Sequence, residues 1–204
     1  MLMLEKEIEN IILEKIKVQL KIEKSFSDLV NNFDSMFANI DFEKNSFSIS
    51  DYFGSGMGKA GATSKLLADN RIKEEWLREY SFKEGNVKND FKGLYFFVND
   101  MRPFYVGISK GVIGRILQHI KGHSHNSATL AYKIGLLKYE IITGSKHSLT
   151  RKQLNFKNEV EPIKGFLSNQ EVIFLHIEND YELYLFEVYC SMKLGTMLNN
   201  FETH

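Results

Sequence analysis

The sequence predicts an α+β protein: a small antiparallel β-sheet flanked by helices, with a mostly helical N-terminal extension. Three observations carry that expectation. Two short apolar runs, GLYFFV from Gly93 and PFYVGIS from Pro103, flank Asn99-Asp100-Met101-Arg102, and Asn-Asp is turn chemistry, so the pair reads as a β-hairpin. A third run, EVIFLHIEN from Glu171 to Asn179, has the β-branched and aromatic content of a buried strand. The stretches before and between these runs repeat their apolar residues at helical spacing.

Taken in order, Leu4, Ile8, Ile11, Ile12 and Ile16 mark an amphipathic helix. KIKVQLKIEK follows, and its alternation fits either a helix or a strand, with helix preferred. Ser25 can cap a second helix, whose stripe is Phe26, Leu29, Val30, Phe33, Phe37 and Ile40. FGSGMGKAGATSK, from Phe53 to Lys65, invites a phosphate-loop reading that its spacing refuses. Phe53 stands where the first glycine is required, and Ala60 stands where a Ser or Thr should follow the lysine. A flexible loop is the expectation there. SKLLADNRIKEEWLREY then reads as helix anchored by Trp76, and SFKEGNVKND as a polar linker into the hairpin.

After the hairpin, Arg115 and His119 lie at i, i+4 on one face of a helix. SATLAYKIGLLKYEI is a further helix, passing into a strand near Tyr139 to Ile142. The charged stretch from 148 to 166 reads as a partly helical insertion, and Asp180 caps a last helix running through Glu187 toward Asn199. The expected division is an N-terminal region of residues 1–90, serving recognition or dimerisation, and a second domain of residues 91–204.

Composition narrows the function. With 204 residues, 43% hydrophobic and 25% charged, the chain can bury one substantial core. No apolar run approaches the roughly 18 residues that span a bilayer, and MLMLEKEIEN lacks the cationic, apolar character of a secretion signal. Cys190 is the only cysteine, which excludes an intrachain disulfide and a multi-cysteine zinc site. No membrane partner and a cytoplasmic location are expected. Net charge is zero, so any phosphate recognition must rest on local positive potential. Lys110, Lys121, His123, His125 and Lys133 are the nucleic-acid-binding candidates, against the blander reading of solvated helix faces. His119 and His123 share metal-ligand spacing, but Gly122 is expected to end the helix between them. His176 reads as a satisfied core histidine.

The hairpin with its helix resembles the GIY-YIG nuclease superfamily, over roughly Phe91 to the C-terminus. The two tripeptides of that name appear as Gly93-Leu94-Tyr95 and Tyr105-Val106-Gly107. The family's arginine and histidine match Arg115 and His119, its glutamate matches Glu187, and its asparagine matches Asn199. Leu94 and Val106 are conservative swaps; Ile108 departs from a position that is often basic, where Lys110 is close enough to substitute. The resemblance implies a metal-dependent endonuclease with one divalent ion, Mg2+ or Mn2+, held by Glu187. Its expected substrate is DNA, with RNA left open because nothing in the motif reads the sugar. The chain's size is similar to that of compact restriction enzymes, for which a homodimer would match a symmetric site.

The residue types suit that chemistry. Hydrolysis of a phosphodiester needs an activated water, charge neutralisation, leaving-group stabilisation and positioning. Tyr95 is expected to activate water, Tyr105 to orient phosphate or water and share that role, and His119 to relay a proton or hold a tyrosine hydroxyl. Arg115 would lower a phenol pKa and grip phosphate oxygens, and Asn199 would support the site by hydrogen bonding. The rival reading is a non-catalytic nucleic-acid-binding or protein-interaction module on the same fold. In it the tyrosines are core aromatics, although a binder has no need of Glu187.

Overall fold

The computed structural model describes residues 25–82, 85–144 and 153–199, with positions 7, 8, 10–12 and 14; over 79–82 and 85–88 only the backbone is described. The fold is α+β. The chain forms two compact units, Met1–Ala38 and Asn39–His204, and the expected boundary near residue 90 falls inside the second. The reason is tertiary. Phe47 and Ser48 pair with a strand more than a hundred residues later, which ties this region to the main sheet.

In the first unit, Ile8, Ile11 and Ile12 are helical and exposed, while Leu4, Ile16 and the ambiguous KIKVQLKIEK run up to Lys24 lie outside the described residues. Helix α1 spans Phe26–Ala38; the Ser25 hydroxyl accepts from the Asp28 N–H at 3.2 Å, and Leu29 and Phe33 are buried.

The second unit opens with α2 (Phe42–Asn45), β1 (Phe47–Ser48), α3 (Ile49–Phe53) and α4 (Lys59–Ala68). Helix α4 begins inside the glycine-rich stretch that was expected to be loop. It also stops well short of Tyr80. Asn70 takes a left-handed φ of 53°, and the Arg71 N–H reaches back to the Leu66 carbonyl at 2.8 Å, a Schellman closure. A 3-10 turn follows at Glu74–Trp76. The expected polar linker is instead a two-stranded hairpin of β2 (Arg78–Phe82) and β3 (Gly85–Asp90). A polar sequence can form strands when its partner is adjacent in the chain.

The main sheet has the order β1-β6-β4-β5, all antiparallel, where β4 is Gly93–Asn99, β5 is Arg102–Ser109 and β6 is Glu171–His176. Asp100 and Met101 both have positive φ, as a two-residue type I′ turn requires. A bulge follows at Phe104, beside Pro103 on the edge strand, where a missing N–H is tolerated. On one sheet face Tyr95, Phe97 and Phe174 join a core with Phe53, Leu66, Ile113, Ile116 and Leu167. Gly93 is needed where β4 meets β6: an added Cβ would strike the Leu175 carbonyl.

Helix α5 (Val112–Lys121) buries Val112, Ile113, Ile116, His119 and Ile120, a stripe at helical spacing. Each such aliphatic side chain contributes about 1.5–3 kcal/mol on burial. Gly122 ends α5 before His123, as expected. Helix α6 (Thr129–Thr143) runs through Tyr139–Ile142, where a strand was expected, and closes on Gly144 at φ 68°. The supposed insertion holds a π-helical turn (Phe156–Val160) and most of α7 (Glu161–Ser168), and its Leu154 and Val160 are buried in the core, so this segment is structural rather than appended. Helix α8 spans Asp180–Leu194. Its cap is Asn179, not Asp180: the Asn179 Oδ1 accepts from the Tyr181 and Glu182 N–H groups. It also ends before Asn199, which lies in the turn beyond. Among the described residues no helix is long and apolar enough to cross a membrane.

Candidate active site

Helix α5 is aimed by a tertiary cap that local sequence signals do not reveal. Its N-cap, Gly111, has no side chain, and the capping carboxylate comes from Asp90 at the end of β3. Asp90 is 1% exposed. Its oxygens accept from the N–H groups of Phe91, Ile113 and Gly114 and pair with Lys59 at 3.2 Å. The lysine of the glycine-rich stretch thus serves helix α5 rather than a nucleotide.

So positioned, α5 carries His119 against the hairpin. The Tyr95 hydroxyl and His119 Nε2 lie 2.8 Å apart, and the Tyr105 ring sits 6.2 Å from that of Tyr95 and 6.0 Å from that of His119. Burial, aided by Arg115 and Lys133, holds the His119 pKa well below its usual value, so the ring is neutral. Its Nδ1 is buried with no partner among the described residues. An orphaned N–H donor is costlier than an orphaned lone pair, which places the proton on Nε2, donating to the Tyr95 oxygen. Of the two roles expected for His119, the geometry supports holding the hydroxyl.

Gly107 makes room for this arrangement. A Cβ there would stand 2.5 Å from both the Tyr95 Cζ and its hydroxyl oxygen. Gly107→Ala is expected to displace the phenol and destabilise the fold by about 1–3 kcal/mol, the usual cost of overpacking. Urea denaturation measures the loss, and a stability within error of wild type would contradict it.

Tyr95, expected to activate water, is 1% exposed and so is sealed from solvent. Tyr105 is the phenol that reaches a cleft of about 430 Å³, shared with Lys133, Tyr184, Glu187, Val188 and Asn199. Burial raises both phenol pKa values. On Tyr105 the charge of Glu187 adds to the rise, while Arg115 and the Tyr95 hydroxyl oppose it. The expectation that Arg115 lowers the phenols below their usual value is therefore corrected: burial outweighs it. Arg115 is half-buried and held by Gln118 Oε1 at 2.9 Å and Thr129 Oγ1 at 2.5 Å.

Glu187 faces the cleft from the half-buried side of α8, and burial pushes its carboxyl up to about 7, with Lys133 opposing. Among the described residues this carboxylate makes no side-chain hydrogen bond or ion pair. A half-buried, poorly compensated carboxylate open to a cleft fits an oxygen-seeking divalent ion that keeps most of its waters. No group of three His, Cys, Asp or Glu converges among the described residues, so an all-protein cage is not offered.

Asn199 does not touch the phenols. Its Oδ1 accepts from the Val106 N–H at 3.1 Å and its Nδ2 donates to the Val106 carbonyl at 2.6 Å. The amide does at one residue what a neighbouring strand would do for the free edge of β5, and it fixes the backbone next to Tyr105. Asn199→Asp keeps size but cannot donate to the carbonyl. It is expected to cost about 1–3 kcal/mol, as for a buried hydrogen-bonding group left unsatisfied. Thermal melts at pH 7 test this, and an unchanged midpoint would contradict it.

The predicted nucleic-acid contacts divide. Lys133 lines the cleft, its Nζ donating to the Leu198 carbonyl at 2.9 Å, and Lys110 and His123 are exposed. Lys121 and His125 are corrected to structural roles. Lys121 Nζ donates to the Gly54 and Met57 carbonyls, holding the glycine-rich turn. His125 bonds the Leu154 carbonyl at 2.9 Å and packs edge-on against Tyr132 and Phe156. His176 is half-buried, stacked on Trp76 and 3.4 Å from Glu178.

No protein-family model matches this chain, and neither a curated protein nor a solved structure is detectably similar to it.

Proposed function

We propose that this protein is a metal-dependent endonuclease of the GIY-YIG type that hydrolyses DNA phosphodiester bonds. The observation that carries the reading is the shared cleft in which Tyr105, Lys133 and Glu187 meet, with Tyr95 and His119 hydrogen-bonded behind it. Lys133 supplies the fixed positive charge that draws a phosphate in. Tyr105 orients the attacking water. Its phenolate, once formed, is favoured by the Tyr95 hydroxyl and by Arg115, both of which lower its pKa. His119 holds Tyr95 in register, and Asn199 holds the strand that presents Tyr105. Mg2+ or Mn2+ on Glu187 would polarise the scissile phosphate, stabilise the departing 3′ oxygen and cancel the upward push of Glu187 on Tyr105. Site-specific restriction by a homodimer is the finer form of this reading, suggested by the compact size.

The sealing of Tyr95 and the raised phenol pKa values favour a second reading, a nucleic-acid-binding module that does not cut. Plasmid and RNA incubated with Mg2+ or Mn2+ separate the two, using wild type, Glu187→Ala and Arg115→Ala. Discrete fragments lost in both variants support restriction, and smearing supports unspecific cleavage. Binding without cutting by wild type on any substrate overturns the nuclease reading.

A further inference from the structure

Helix α8 carries an apolar stripe on its outer face, with Tyr181 48%, Tyr184 60%, Val188 37% and Met192 78% exposed. Tyr184 differs from the rest of the stripe except Val188 in also lining the cleft, one helical turn before Glu187. Its ring makes no aromatic contact or hydrogen bond among the described residues, whereas nearby Tyr189 is stacked on Phe186 and covered by Lys193. A large ring left bare beside a carboxylate and a lysine is a flat apolar platform at the rim of a charged cleft.

We propose that Tyr184 stacks an unpaired nucleobase next to the phosphate drawn in by Lys133 and a cation on Glu187. This rests on the nuclease reading and adds a substrate class to it: a strand whose flanking base is single-stranded or turned out of its duplex. Charge complementarity argues for nucleic acid over a second protein. Lys133 and a cation at Glu187 would attract phosphate at the cleft, and Tyr181, Tyr184 and Val188 offer an aromatic and aliphatic surface beside it on α8. Stacking needs a π-face and no particular hydrogen-bond pattern, so the platform accepts any base. A base inside intact duplex does not present its face, which makes pairing the deciding variable.

The test uses the full chain with Ca2+ in place of Mg2+ or Mn2+, so that the oxygen site is occupied and binding is read apart from cutting. Fluorescence anisotropy follows labelled oligonucleotides, single-stranded and fully paired, on wild type and on Tyr184→Ala, Tyr184→Leu and Tyr184→Phe. Wild type is expected to prefer the single strand. Ala and Leu should weaken that binding about tenfold, and Phe should stay near wild type. The proposal is overturned if Leu restores binding as well as Phe, if Ala is silent, or if duplex binds as tightly as single strand. It is also overturned if Tyr184→Ala converts a dimer to monomer without changing DNA affinity, the mark of an interface between copies. If wild type binds and cuts DNA while Tyr184→Ala is silent, only the stacking proposal fails. If wild type binds no DNA, the nuclease reading fails with it.

Discussion

Asp90→Ala is expected to lower folding stability by about 2–4 kcal/mol, from a lost helix cap and buried donors left unpaired. The Ile113 and Gly114 N–H groups would lose the partner that fixes the first turn of α5, and Lys59 would lose its ion pair. Lys59 can turn its ammonium to solvent, since its side chain is 31% exposed, so the penalty falls on the backbone donors. Because α5 holds Arg115 and His119, residual activity should fall further than the folded fraction explains. Asp90→Asn, which keeps acceptor capacity at one oxygen, should lose less. Urea titrations with parallel cleavage assays check both statements, and a loss under about 0.5 kcal/mol for Asp90→Ala would refute the capping account.

On the nuclease reading, Glu187→Gln is expected to lower cleavage on the order of a thousandfold while leaving the fold intact, because several kcal/mol of transition-state stabilisation would go with a metal's ligand. The raised carboxyl, about 7 against an ordinary 4.5, gives this position a second signature. The folded state holds that proton more tightly than the unfolded chain does. Stability from this group is therefore complete below about pH 4.5 and declines as pH rises through 7. Glu187→Gln should remove that decline. A divalent ion must displace the same proton, so Mg2+ affinity should strengthen as pH rises through 7, with proton release on binding. Calorimetry in two buffers of different ionisation heat reads the release directly. Equal heats in both would count against Glu187 as the ligand.

Legibility in the sequence followed how local each cause was. The β4–β5 hairpin could be read because its turn, its alternation and both tripeptides sit within seventeen residues, Gly93 to Ser109. The termination of α5 was readable from Gly122. The early end of α4 also has a local signal, since Asp69-Asn70 is helix-closing chemistry and Asn70 adopts the left-handed backbone. The Asp90 cap and the Lys121 contacts had no such signal, because they join residues 23 and 64 or more positions apart whose pairing exists only once the sheet has formed. The same holds for Tyr95 and Tyr105. Spacing nominated both phenols, but only packing decides which is sealed and which meets the cleft. The β2–β3 hairpin is hard to read locally because Tyr80, Phe82 and Val87 are the only apolar residues in its two strands, too few for an alternation to stand out.

The link from Asn199 to Val106 ties two fates together. A single amide occupies both backbone groups of Val106 on the open rim of β5, and the same amide holds still the peptide that presents Tyr105. Whatever pulls the segment after α8 away would unmask the rim and slacken Tyr105 in one movement. Inactivation and self-association should then rise in step. Light scattering recorded beside turnover, on Asn199→Asp as it is warmed, would show the two curves moving together.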